Sequence, residues 1–108
     1  MATRSSAVHM MLVDDHPIVR RGVKDILVDA FPRAAIEEVG SGGDAISLAH
    51  GSVWDIIILD LTLPDCSGLD VLKRVRERHA RLPVLVLSMH APDQLARRVL
   101  AAGGAGYL

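Results

Sequence analysis

Uninterrupted apolar runs recur along the chain at Val8–Val13, Ile56–Leu59 and Pro83–Leu87, with weaker strand-like stretches at Ile36–Val39 and Tyr107–Leu108. The segments between them carry a different period. Ile18, Gly22, Ile26 and Ala30 interleave with Val19, Val23 and Leu27 at helical spacing, and Pro17 suits a first helical turn, so a helix is predicted over about 17–30. Ser41-Gly42-Gly43 opens a shorter helix over about 43–50, with Ala45, Ile46 and Ala49 inward, and Gly51 closes it. A third helix, about 68–78, sets Leu69, Leu72 and Val75 or Arg76 at three-to-four spacing. A fourth follows Pro92 with Leu95, Val99 and Leu100 and stops at Gly103-Gly104.

Strands that are continuously apolar rather than alternating are covered on both faces, which calls for a parallel sheet between helical layers. The alternation βαβαβαβαβ therefore predicts an α/β three-layer sandwich with a parallel five-stranded sheet. Neither a repeat nor a flexible linker interrupts it, and 108 residues suit one domain.

Composition narrows the function classes. Half of the residues are apolar but only 3% are aromatic, so aliphatic side chains fill the core. Twelve Lys and Arg against thirteen Asp and Glu give a formal charge of -1, which argues against direct nucleic-acid binding. The clusters Arg74-Arg76-Arg78 and Arg97-Arg98 read as charged rims. The single cysteine, Cys66, has no partner for an internal disulfide and is assigned no role. The Met1–Val8 leader is too short and too polar for a secretion signal or membrane span, so a cytoplasmic protein without membrane contact is expected.

The chemistry lies in where the carboxylates fall. Asp14 and Asp15 follow the first strand, Asp60 follows the third, and Ser88 ends the fourth apolar run. In a parallel sheet the carboxyl ends of strands lie together, so these distant positions converge on one crevice. Three like charges at close range repel, and hard oxygen donors with room for water suit Mg²⁺. Asp60 can then attack phosphorus, and Ser88 can hydrogen-bond the attached phosphoryl group. His16 reads as loop structure rather than as a metal ligand.

Taken in order, Val13-Asp14-Asp15-His16-Pro17, Asp60-Leu61-Thr62-Leu63-Pro64 with Gly68, Leu85-Val86-Leu87-Ser88-Met89-His90 and Gly104-Ala105-Gly106-Tyr107-Leu108 span nearly the whole chain. Together they resemble the CheY-like receiver domains of two-component response regulators, in the LuxR/NarL branch that normally carries a C-terminal helix-turn-helix DNA-binding domain. The resemblance implies a flavodoxin-like strand order 2-1-3-4-5 and Asp60 as the phosphoacceptor. It implies Asp14, Asp15, Asp60 and the Thr62 backbone carbonyl around Mg²⁺, Ser88 as the switch hydroxyl and Tyr107 as the switch aromatic. Thr62 and His90 match positions flanking the phosphoryl group. A histidine kinase is the implied partner, and self-phosphorylation and autodephosphorylation are the implied activity, with transcription controlled through an output domain beyond this segment.

The resemblance departs at its end. The family places a lysine two residues past Leu108 and then a last helix, so residues 1–108 are expected to form a receiver domain incomplete at its C-terminus. The face beside the first helix, with Ile18, Ile26, Ala30 and sheet residues such as Met11 or Val13, is then expected to be bare and to favour a homo-oligomer. Two other classes compete: a noncatalytic receiver-like interaction module, and a Mg-dependent phosphohydrolase-like protein, against which Thr62 stands where a second catalytic acid is usual. The glycines Gly40, Gly42 and Gly43 lack the spacing of a dinucleotide loop.

Overall fold

The computed structural model describes residues 8–61, 63, 65–87, 97, 101, 103, 104, 106 and 107. In chain order the elements are β1 (His9–Val13), α1 (Pro17–Ala30), β2 (Ala35–Val39), α2 (Gly42–Gly51), β3 (Ile56–Asp60), α3 (Gly68–Arg78), β4 (Val84–Leu87) and β5 (Gly106–Tyr107). All strand pairs are parallel, in the order β2-β1-β3-β4-β5.

The expected five-stranded sheet needs correction. The sheet proper has four strands, β2-β1-β3-β4, with three helices among the described residues. At the β4 edge Gly106–Tyr107 adds only a two-residue stub, pairing Leu85 with Gly106 and Val86 with Tyr107. Two pairings leave this segment short of the five-residue runs of β1, β2 and β3, and Gly103 turns the chain just before it at φ +99°. The fourth helix expected after Pro92 falls mostly outside the described residues, among which Arg97 and Ala101 have helical backbone.

Alternation along the strands divides the interior. Met11, Val13, Ile57, Leu59, Val84 and Val86 join Ala45, Ala49, Leu69, Val71, Leu72 and Val75 in one buried cluster under α2 and α3. Met10, Leu12 and Ile58 are buried outside that cluster, on the opposite face. Met11 and Val13 therefore do not line the face beside α1, as the sequence had suggested.

The α1 stripe is also displaced from expectation. Arg20, Val23, Lys24 and Leu27 are half-buried, at the three-to-four spacing of one helix face. Ile18 is 88% and Ile26 69% exposed, and α1 has no fully buried residue. The helix is tied to β2 by charge instead: Arg20 Nε lies 3.2 Å and Lys24 Nζ 3.0 Å from the Glu38 carboxylate. The Lys24 hydrogen bond, with the cations of Lys24 and Arg20, holds the Glu38 carboxyl below its ordinary pKa.

Capping fixes the other helices. Ser41 Oγ accepts from the Asp44 N–H at the start of α2, and Ser67 Oγ accepts from the Leu69 N–H at the start of α3. At the far end of the sheet the His9 ring stacks on Trp54, whose Nε1–H donates to the Leu48 carbonyl. A surface cavity beside Trp54, Leu82 and Pro83 opens at this end, on the amino side of β3 and β4, away from the acidic strand ends.

Candidate functional site

Register brings the acidic residues together. Val13 pairs with Leu59 and Val13 also pairs with Val39, so the chain leaves β1 at Asp14 beside the Asp60 that ends β3. Asp60 in turn pairs with Leu87, the last residue of β4. One ligand atom from each of Asp14, Asp15, His16 and Asp60 lies within 4.8 Å of every other. This is the convergence expected for carboxylates at the carboxyl ends of parallel strands.

Each member is held from its own loop. Asp14 is 3% exposed; its N–H donates to the Val39 carbonyl at 3.0 Å, and its Oδ1 accepts the His16 N–H at 2.8 Å. Arg20 Nη1 donates to the Asp14 carbonyl oxygen at 2.9 Å, which turns the guanidinium to the backbone and to Glu38. Asp15 Oδ1 is buried and has no hydrogen-bond partner among the described residues, a costly state for a carboxylate oxygen unless a further group meets it. An orphaned oxygen beside two more carboxylates is the donor set of a hard divalent cation, so these residues fit such an ion.

The loop after β3 is shaped by glycine and by an aspartate that sequence reasoning missed. A Cβ on Gly68 would stand 2.6 Å from the Asp60 carbonyl oxygen and 2.7 Å from Leu61 Cα, so α3 starts close against the end of β3 only without a side chain there. Asp65 accepts from the N–H groups of Gly42 at 2.8 Å and Gly43 at 2.9 Å. Those two bonds hold its carboxyl below the usual carboxylate range and lash the loop to the amino end of α2. The glycine pair that opened α2 in the sequence was the available signal, since a Cβ on Gly42 would overlap Cys66 Sγ. Burial, with Asp65 and Asp70 nearby, pushes the Cys66 thiol up, which disfavours its thiolate.

Arg76 is not part of a charged rim. Its Nε and Nη2 donate to the Gly103 carbonyl and its Nη1 to the His79 carbonyl, and burial lowers its pKa. This clamp holds the turn that leads to β5. Thr62, Ser88 and His90 lie outside the described residues, and Tyr107 is described as backbone paired with Val86. His16, set aside on sequence, stands inside the acidic cluster with Nδ1 3.0 Å from Asp15 Oδ1, 3.4 Å from Asp14 Oδ1 and 3.9 Å from Asp60 Oδ2.

The response regulator receiver domain model matches residues 10–108. The chain belongs to that family. It is 31% identical over 101 residues to the response regulator UvrY of Escherichia coli strain K12, covering 94% of this chain and 46% of that protein. It is 35% identical over 99 residues to the nitrate/nitrite response regulator protein NarP of the same strain, covering 92% and 46%. Its fold matches the crystal structure of a two-component response regulator of the LuxR family from Aurantimonas sp. SI85-9A1, with a TM-score of 0.85 and 35% identity over 94% of this chain and 73% of that one. The chain thus spans about half the length of the curated relatives it matches. In this receiver fold the clustered Asp and His side chains are suited to phosphoacceptor chemistry and to self-phosphorylation rather than turnover of a separate substrate. Among the described residues no helix is long and apolar enough to cross a membrane.

Proposed function

We propose that residues 1–108 form one cytoplasmic receiver unit in which Asp60 accepts a phosphoryl group from a phosphorylated histidine of a cognate kinase. A carboxylate oxygen of Asp60 bonds to phosphorus as the bond from phosphorus to the donor histidine nitrogen breaks, giving an acyl phosphate and returning the histidine. The observation that carries this reading is the meeting of Asp14, Asp15 and Asp60 at adjacent strand ends. Asp14, Asp15, Asp60 and the Thr62 carbonyl would hold Mg²⁺, which when bound screens the carboxylates from an anionic donor and neutralises the transferred phosphoryl oxygens.

Ser88 then bonds the phosphoryl group and Tyr107 follows it, altering the surface around β4 and β5. Thr62 and His90 flank the group. Transcription is controlled through an output domain of the longer regulator, and this segment does not itself read DNA. The exposed Ile18, Ile26 and Phe31 support self-association through the α1 side.

Labelling with a small acyl phosphate and Mg²⁺, followed by mapping of the modified residue, tests the assignment. Label is expected on Asp60, lost in Asp60→Asn and reduced in Asp15→Ala, while Ser88→Ala keeps the label and loses the response. Full labelling of Asp60→Asn at another residue would overturn the assignment, and no labelling of the wild type would leave a noncatalytic interaction module.

A further inference from the structure

The imidazole of His16 stands within ion-pair distance of three carboxylates at once. Nδ1 is 3.0 Å from Asp15 Oδ1, yet that buried oxygen has no hydrogen-bond partner among the described residues. Two ligand atoms at ion-pair distance with no hydrogen bond between them have room to share a third atom. Ligands at right angles around an octahedral ion with bonds of ~2.1 Å lie ~3.0 Å apart, and opposite ligands lie ~4.2 Å apart. Separations of 3.0 Å to Asp15, 3.4 Å to Asp14 and 3.9 Å to Asp60 fall within that span.

The backbone of His16 is fixed beside the site. The His16 N–H is bound to Asp14 Oδ1 at 2.8 Å, and the extended conformation at φ -94° and ψ 107° is the one a following proline enforces. The carboxylates reach the site from the sheet side, while the His16 side chain, 59% exposed, approaches from solvent.

We propose that His16 Nδ1 is a ligand of the divalent cation, so that the site takes first-row transition ions more tightly than Mg²⁺, with Mn²⁺, the weakest binder of that row, as the spectroscopic probe. This rests on the reading that Asp14, Asp15 and Asp60 hold a cation. Carboxylates serve Mg²⁺ and Mn²⁺ alike, whereas imidazole adds little for Mg²⁺ and much for a transition ion. His16 is thereby a specificity-determining residue of the site.

Pulsed electron paramagnetic resonance on the 108-residue chain loaded with Mn²⁺ reads the ligand directly. Coupling to a coordinated ¹⁴N is expected, changing to the ¹⁵N pattern when histidine alone is isotope-labelled, and vanishing in His16→Ala but not in His90→Ala. By titration, His16→Ala is expected to weaken Mn²⁺ about tenfold and Mg²⁺ less than about twofold, with far-UV circular dichroism unchanged. Mn²⁺ binding that Asp15→Ala weakens, but without nitrogen coupling in the wild type or with coupling that survives His16→Ala, would overturn the role of His16 alone. Binding of both ions untouched by Asp15→Ala and Asp60→Asn would overturn the cation site and this inference with it.

Discussion

On one face of the sheet Met11, Val13, Ile57, Leu59, Val84 and Val86 meet Leu69, Leu72 and Val75, all buried. On the other face Met10, Leu12 and Ile58 are buried as well, but α1 contributes no fully buried residue and leaves Ile18 and Ile26 in solvent. α1 and α3 both carry an apolar stripe at helical spacing, yet they are unequally packed in space. The difference matters for the site, because the loops that position it are fastened to the packed side: Gly68 seats α3 against the end of β3, and Asp65 binds the start of α2. The α1 side is fastened by Arg20 and Lys24 on Glu38.

Truncation of the packed face sharpens the contrast most. Leu72→Ala, at a site with no exposure, is expected to cost about 2–5 kcal/mol in chemical denaturation, the range for a buried leucine that leaves a cavity. A loss under 1 kcal/mol, on the order of a surface substitution, would mean that the α2/α3 layer is no tighter than α1.

Gly68→Ala comes next, since its new Cβ meets backbone rather than a movable side chain. Overpacking of that kind costs about 1–3 kcal/mol. Because the clash is with the Asp60 carbonyl, acyl-phosphate labelling of Asp60 is expected to fall more than in Leu72→Ala variants compared at equal folded fraction. Unchanged labelling would detach the α3 seat from the site.

A third contrast is acid sensitivity. His50, at the end of α2, has Nδ1 3.2 Å from His79 Nε2 at the end of α3. Loss of water around the ring, then the Arg78 cation, lowers the His50 pKa from its ordinary value of 6.5. The folded chain therefore binds fewer protons here than the unfolded chain. The stability due to this group is present above pH 6.5 and is lost as pH falls through the lowered folded value. His50→Gln is expected to flatten a urea-midpoint profile between pH 7 and 5, and an undiminished slope would remove the pair as its source.

Smallest of all should be changes at the exposed surface of α1 and at its ion-pair partner on β2. Ile26→Ser and Glu38→Gln are each expected to alter monomer stability by no more than about 0.5 kcal/mol, the second only at low salt. Sedimentation of Ile26→Ser tests whether the exposed side serves association instead. A monomer stability loss above about 1.5 kcal/mol from Ile26→Ser would erase the difference between the two faces.

Much of this was legible before folding. Local rules do not depend on distant residues, so the Pro17–Ala30 and Gly68–Arg78 helices were placed from proline, glycine and apolar period, and the central strands from unbroken apolar runs. The order of Asp14, Asp15 and Asp60 after parallel strands was enough to anticipate a shared crevice. Other features exist only between segments. Which stripe of α1 turns inward was ambiguous because apolar residues surround much of that helix, and the Glu38 side chain of a neighbouring strand draws Arg20 and Lys24 to it. The Asp65 brace, the Arg76 clamp on Gly103 and the place of His16 among three carboxylates join residues distant in the chain or turned by a loop, and no periodicity encodes them. Sequence alone determined the elements and the charge at the strand ends; tertiary packing decided which side is tight and what stands beside the carboxylates, because those depend on contacts that only chain closure makes.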